Sequence, residues 1–124
     1  MTLTVEFVLP LASELGGNSR GSWHKREQAR KDGLQQGYFL THEALWREQA
    51  FPQGAKAYRL QICFYASGNA DVDNLLGRAK FVLDGMAMAL GTNDRAFGPI
   101  IIERKPAPKG SGRRARAIVQ VEVA

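Results

Sequence analysis

The feature that most constrains this fold is an apolar stripe that recurs at helical spacing between residues 72 and 90. At about 100° per residue, eight apolar side chains fall on one side of a helix, within an arc of about 140°. They are Leu75, Leu76, Ala79, Val82, Leu83, Met86, Ala87 and Leu90. Gly91 suits the position just after a helix C-terminus. The pattern predicts a helix over 72–90, one side of which another layer of the protein must cover.

A sheet is the predicted covering layer. Residues 57–66 alternate, with Tyr58, Leu60, Ile62 and Phe64 on one face and mostly polar side chains on the other, as in a strand with one buried face. Three further segments favour strands, and the loop that joins the last two is rich in Pro, Gly, Lys and Arg. These segments are residues 3–9, 97–104 and 115–123.

Short helices are expected between the first two strands, after a loop over 10–22. Residues 23–32 are polar and charged, and Gly33 and Gly37 are expected to interrupt the helix that they form. Thr41 would then cap a second short helix over 41–50, with Leu45 and Trp46 turned inward. The prediction is therefore one α+β domain spanning residues 1–124. It has a small mixed or antiparallel sheet of about four strands, one long helix on a face, and short N-terminal helices.

Charge is unevenly distributed along the chain, whose formal net charge is +5. Five of the 17 Lys and Arg residues lie between residues 20 and 31, and six lie between 104 and 116, whereas four aspartates fall between 71 and 94. Two basic segments flanking an acidic centre favour a polyanionic partner such as DNA, although a generic solvated surface remains the plainer interpretation. The candidate DNA-binding residues are Arg20, Lys25, Arg26, Arg30, Arg78, Lys109, Arg113 and Arg114.

The carboxylates are the candidate catalytic groups. Asp71 and Asp73 precede or begin the predicted helix, and in extended backbone their side chains would point the same way. Asp94 follows the far end of a helix about 27 Å long, so it can join them only if the chain doubles back or a second subunit supplies it. Oxygen ligands without His or Cys suit Mg²⁺, or alternatively Mn²⁺. Lys80 lies almost in line with Asp73 on the helix, where it could neutralise a phosphate.

Structural roles compete with each of these assignments. Asp71 could simply cap the helix, and the negative charge of Asp73 could interact favourably with the positive end of the helix dipole. Lys80 and Asp84 are spaced as a surface ion pair. Asp94 could belong to an ordinary turn.

Several classes of function have no support in the sequence. A single cysteine, Cys63, excludes an internal disulfide and a multi-cysteine zinc site. The chain has no phosphate-binding loop of the ATPase type, so no nucleotide cofactor is expected. It also has neither a membrane-length apolar run nor a positively charged start like that of a signal peptide. We therefore expect a cytoplasmic protein without a membrane partner.

The motif Asp71-Val72-Asp73-Asn74-Leu75, followed by Lys80, Asp84 and the turn Asn93-Asp94, resembles that of the RusA-type Holliday junction resolvases, which prophages often carry. The N-terminal strand ending in Pro10 and the segment 18–26 are similar to that family as well, so the resemblance covers roughly residues 3–122. Two departures stand out. The lysine lies three residues further from Asn74 than in the best-known members, and Asn93 stands where an aspartate is usual.

The resemblance implies a homodimeric, Mg²⁺-dependent endodeoxyribonuclease that resolves four-way DNA junctions by paired nicks in recombination and repair. It assigns metal binding and catalysis to Asp71, Asp73 and Asp94 and an essential catalytic role to Lys80, with Asn74 and Asp84 supporting them. Two alternatives stay open. One is a basic nucleic-acid-binding module without catalysis, and the other is a metal-dependent nuclease acting on other branched or single-stranded nucleic acid.

Overall fold

The computed structural model describes residues 1–11, 22–110 and 114–124. Four strands are formed: β1 (Leu3–Val8), β2 (Tyr58–Ala66), β3 (Phe97–Pro106) and β4 (Arg116–Val123). Helix α1 (Ser22–Arg47) follows β1, helix α2 (Val72–Ala89) follows β2, and a single 3₁₀ turn (Asp94–Ala96) precedes β3. The predicted α+β class and the four strands are confirmed, with boundaries that agree to within about two residues. The candidate DNA-binding residues Arg20 and Arg113 lie outside the described residues.

The sheet is mixed, with strand order β1-β4-β2-β3. Strand β4 is antiparallel to both of its neighbours, whereas β2 and β3 are parallel. It follows that β1, β2 and β3 all run in one direction, and that a helix connects each to the next as a crossover. The carboxyl ends of β1 and β2, and the N-termini of both helices, therefore meet at one edge of the sheet.

The hydrophobic core lies between the sheet and the two helices. Tyr58, Leu60, Ile62 and Phe64 of β2 are fully buried in it, as their alternation predicts. Seven of the eight apolar residues predicted for the helical stripe are buried as well, and Leu76 is half-buried. Each fully buried aliphatic side chain contributes about 1.5–3 kcal/mol, so this stripe is what anchors α2. The described helices include none that is long and apolar enough to cross a membrane.

The prediction of short N-terminal helices is wrong, because α1 is one continuous helix of 26 residues. Gly33 and Gly37 do not interrupt it; they face α2 at very short range. A Cβ at Gly37 would lie 2.9 Å from the carbonyl carbon of Val82 and closer still to its oxygen, and one at Gly33 would lie 2.7 Å from the Phe81 Cβ. The glycines are therefore present for close helix packing, whose energy outweighs their low helix propensity.

Two residues of the same segment also differ from expectation. Thr41 is not a cap: it lies inside α1, fully buried, and its hydroxyl makes no hydrogen bond with the described part of the chain. Leu45 is buried as predicted, but Trp46 is 73% exposed and Trp23 is 67% exposed. Neither tryptophan belongs to the core, because α1 contacts the protein along a narrow stripe of small and aliphatic residues.

The two helices run in the same direction. Along α1, Gly33 contacts Phe81 and Gly37 contacts Val82 and Met86, so the contacts advance together on both helices. Gly85 of α2 completes the crossing, since a Cβ there would lie 2.9 Å from the carbonyl carbon of Leu34. This packing brings the first turns of both helices together at the edge of the sheet where the candidate site begins.

Candidate active site

Asp71 and Asp73 lie where β2 gives way to α2. Asp71 is the N-cap of the helix: its backbone is extended, and one carboxylate oxygen accepts a hydrogen bond of 2.8 Å from the Asn74 amide. Capping with a carboxylate satisfies an otherwise unpaired donor at the positive end of the helix. The structural role considered for Asp71 is therefore present. It leaves the second carboxylate oxygen of Asp71 for another ligand, because a carboxylate has two.

Arg104 fixes the loop that leads into this motif. Its guanidinium donates hydrogen bonds of 2.9 Å to the carbonyl oxygens of Gly68 and Ala70, from the neighbouring strand β3. Two bonds from one planar, charged donor hold the loop more firmly than a single neutral bond would. In the sequence, Arg104 belongs to the basic segment over 104–116 and has no predicted role, because only the pairing of β2 with β3 reveals which loop it faces.

The chain doubles back after α2, which is one of the two arrangements that could bring Asp94 toward the motif. Gly91 adopts a positive φ of 77°, and the Thr92 amide bonds the carbonyl of Ala87, so the helix ends in a tight turn. The 3₁₀ turn that follows places Asp94 beside the middle of α2. Its carboxylate lies 3.6 Å from the Lys80 ammonium.

Lys80 also lies 3.9 Å from the carboxylate of Asp84, one helical turn along α2. The predicted pair at i, i+4 therefore forms, and Asp94 extends it to three charges. The Lys80 side chain is 62% exposed, so the pairs contribute little stability. Together they place the ammonium between the carboxylates of Asp84 on α2 and Asp94 in the 3₁₀ turn.

The Asp84 carboxyl has a raised pKa. Partial burial raises the pKa of its carboxyl, the nearby Asp94 carboxylate raises it further, and the Lys80 ammonium opposes both. Burial and a like charge each disfavour the ionised form. A divalent cation or another positive group entering the groove would relieve the repulsion between the two aspartates.

Four of the predicted site residues line a single groove of about 390 Å³ between α2 and the edge strand β3. Its polar side chains are Asp73, Lys80, Asp84 and Asp94, and its remaining walls are mostly apolar, with Leu76, Leu83, Phe97 and Ile100 among them. Asp73 lies at one end, because seven residues of helix, or about 10 Å, separate it from Lys80. The groove thus brings Asp73 and Asp94 to one cavity from opposite ends.

The three predicted metal ligands do not form a closed set within one chain. Nowhere in residues 1–11, 22–110 and 114–124 do three or more His, Cys, Asp or Glu side chains converge as a metal site. Mg²⁺ typically uses one or two carboxylates and takes its other ligands from water and substrate phosphate. Asp73 with either Asp71 or Asp94 fits that mode of binding by its chemistry.

A second cavity of about 350 Å³ lies on the other side of α2 and carries positive charge. Arg26 of α1, Arg78 and Lys80 line it together with Asp73 and Asn74. Arg26 reaches this place because the helices run in the same direction. Arg78 also donates a hydrogen bond of 2.8 Å to the Pro10 carbonyl, which ties α2 to the end of β1.

The remaining candidate DNA-binding residues are dispersed. Lys25 and Arg114 line a wider cavity of about 650 Å³ beside the start of α1. Arg30 is held by Glu27 of its own helix, which raises the pKa of the guanidinium and lowers that of the carboxyl. Lys109 is exposed in the turn after β3.

Comparison with known proteins identifies one similar protein, whose activity is not described. An uncharacterised protein of Xylella fastidiosa strain Temecula1 is 33% identical to the chain over 88 residues, which are 69% of this chain and 57% of that protein. The chain therefore spans little more than half the length of this relative. No family model matches the chain.

Proposed function

We propose that this chain is a metal-dependent, structure-selective endonuclease that nicks branched DNA, with the four-way junction as its substrate. The observation that carries the proposal is the groove along α2, which Asp73, Lys80 and Asp94 all line. The cationic cavity around Arg26 and Arg78 adjoins it. Carboxylates in a basic protein, at a place that an anionic strand can reach, are expected where a divalent cation bridges the two. The resemblance of the motif to the RusA-type resolvases points to the same activity.

In this proposal, Asp71, Asp73 and Asp94 are the residues that would hold Mg²⁺ or Mn²⁺. A bound ion would polarise the phosphodiester and lower the pKa of an attacking water. Lys80 would supply positive charge to the reacting phosphate. Asp84 holds the Lys80 ammonium in the groove before DNA arrives, and Asn74 supports Asp71 through the cap.

The proposed active form is a homodimer. Two subunits would double the formal net charge of +5, and their two-fold axis would match the symmetry of a junction and allow paired cuts. Asp94 would then complete the site either from the same chain, across the groove, or from the partner. We propose the cytoplasm as the compartment, because recombining DNA would be encountered there.

The deciding experiment is cleavage of a labelled synthetic four-way junction by wild type and Asp73→Asn, in Mg²⁺, in Mn²⁺ and in EDTA. Wild type is expected to give metal-dependent nicks, and Asp73→Asn to lower the rate by about 100-fold or more, because one ligand of the reacting centre is removed. Glu48→Gln makes the same charge change at an exposed position past α1 and is expected to cleave like wild type. A wild type that gives no metal-dependent nicks, or an Asp73→Asn variant that cleaves normally, rejects the proposal.

A non-catalytic DNA-binding module is the second candidate. The capping hydrogen bond of Asp71 and the ion pairs of Lys80 favour it, because each gives a predicted site residue an ordinary structural role. This candidate predicts junction binding without any metal-dependent product. Tighter binding by Asp73→Asn does not separate the two, since removing a carboxylate near a phosphate relieves repulsion in both. Parallel assays with duplex, flap and single-stranded DNA separate a junction resolvase from a nuclease with another substrate.

A further inference from the structure

Gly77 is a helix-interior glycine for which the described part of the chain gives no structural reason. Its φ is not positive, and a Cβ built on it would have nothing within 4 Å. Gly85 of the same helix differs, because a Cβ there would press on the backbone of α1. Glycine in a helix interior is unfavourable relative to alanine. Since neither packing nor backbone conformation requires glycine at position 77, we infer that the space a side chain would fill there must stay open.

That space is where the two cavities of the candidate site meet. Asp73, Gly77 and Lys80 line both of them. On a helix, residues 73, 77, 80 and 84 fall within about 60° of one another, so position 77 lies on the same stripe as the reactive side chains. Because position 77 has no side chain, the surface of α2 is low at this point. We call it the saddle: it separates the cationic cavity lined by Arg26 and Arg78 from the groove lined by Asp84 and Asp94, the carboxylate groove.

We propose that the sugar–phosphate backbone of one DNA strand crosses α2 at Gly77. The inference rests on the proposed function and adds the path of the substrate to it. On one side of the saddle, Arg26 and Arg78 present guanidinium groups suited to a phosphate. On the other side, Lys80 and the carboxylates that would hold a metal receive the next phosphate.

Charge complementarity selects this occupant. The described lining of the cationic cavity has three positive side chains against the single carboxylate of Asp73, which favours a phosphodiester over an uncharged or cationic ligand. A side chain at position 77 would stand between the two halves of the path. Backbone that approaches a ligand closely is one of the established reasons for glycine.

The test measures junction binding and cleavage by Gly77→Leu and Gly77→Glu. Matched controls are Met88→Leu and Met88→Glu, which place the same residues at an exposed position of α2 outside both cavities. Binding of a labelled four-way junction is followed by fluorescence anisotropy in EDTA over a range of salt concentrations, and cleavage is followed separately in Mg²⁺. Thermal unfolding is recorded for every variant.

Gly77→Leu is expected to raise the Kd about tenfold and Gly77→Glu more, with each Met88 control within about twofold of wild type. The slope of log Kd against log salt should fall by about 1 for each phosphate that the variant no longer neutralises. Gly77→Leu should unfold at or above the wild-type temperature, because leucine is the better helix former.

The outcomes separate this inference from the proposed function. If wild type cleaves junctions and both Gly77 variants bind and cleave as it does, the strand path is wrong and the nuclease proposal stands. If wild type binds DNA without cleaving it and the Gly77 variants lose binding and salt dependence, the path stands and the nuclease proposal falls. A wild type that binds no DNA overturns both.

Discussion

Replacing Gly37 with alanine would place a methyl group where the two helices touch most closely. A Cβ at this position would lie 2.9 Å from the carbonyl carbon of Val82 and 3.0 Å from the amide nitrogen of Met86. Both are backbone atoms inside a helix, so neither can turn away as the end of a side chain could. The methyl group can be accommodated only if α1 and α2 move apart.

The magnitude follows from two opposing effects. A separation of about 1 Å at a close-packed crossing costs about 2–3 kcal/mol in overpacking and weakened dispersion, the upper part of the usual range, because the clashing atoms are backbone. Alanine recovers about 1 kcal/mol through its higher helix propensity. The net change is a decrease of about 1–2 kcal/mol in the free energy of unfolding, which for a domain of this size lowers the Tm by about 3–10 °C.

The assay is thermal and urea unfolding of Gly37→Ala beside Gly77→Ala, which makes the same chemical change on the neighbouring helix. Nothing lies within 4 Å of a Cβ at Gly77, so only the propensity gain remains and the Tm should rise by about 3–5 °C. The reasoning predicts opposite signs for two identical substitutions. A Gly37→Ala variant at least as stable as wild type would refute the close, same-direction packing of the helices.

Two further predictions concern the groups around the groove. Because burial raises the pKa of Asp84, the folded state disfavours the ionised carboxylate. Asp84→Asn should therefore be at least as stable as wild type at pH 7. The difference in the free energy of unfolding should shrink as the pH falls through the raised pKa and vanish below the ordinary pKa of about 4. Urea unfolding between pH 3 and 8 measures this, and a variant less stable at pH 7 would mean that the Lys80 pair dominates. Arg104→Lys keeps the charge but loses the paired hydrogen bonds to the loop before α2. Under the proposed function, this loop positions the residues that would hold Mg²⁺, so the Mg²⁺ concentration for half-maximal cleavage should rise about tenfold. Lys105→Met, at the exposed neighbouring position, is the control, and equal Mg²⁺ dependence of the two variants would contradict the positioning role.

Local patterns were sufficient where a single periodicity decides the structure. The stripe from Leu75 to Leu90 needs only helical spacing and an apolar layer to cover it, and the predicted helix over 72–90 agrees with α2 to within one residue. The alternation from Tyr58 to Phe64 likewise needs only a sheet with one covered face. In both cases the burial pattern of one segment is independent of which other segment supplies the cover.

Local patterns were insufficient at the glycines of α1, because the effect of a glycine depends on what packs against it. In the polar segment around Gly33 and Gly37, intrinsic propensity predicts a break, and no apolar stripe argues against one. The contact with α2 reverses the outcome, since glycine is what allows the two backbones to approach. The exposed Trp46 has the same origin: once α1 is continuous, the phase of the helix directs that side chain to solvent.

The candidate site depends on both kinds of information. Helical periodicity alone places Asp73, Lys80 and Asp84 on one stripe of α2, which the spacing of 7 and 4 residues already predicts. Asp94 reaches that stripe only through the turn at Gly91, and Arg26 reaches its other end only because α1 runs alongside α2 in the same direction. A shift of α1 along or away from α2 would therefore separate Arg26 from Asp73 while leaving the ion pairs of Lys80 intact. Under the proposed function, Gly37→Ala should therefore weaken junction binding more than it disturbs the groove along α2, and the helix crossing would serve DNA binding as well as the core.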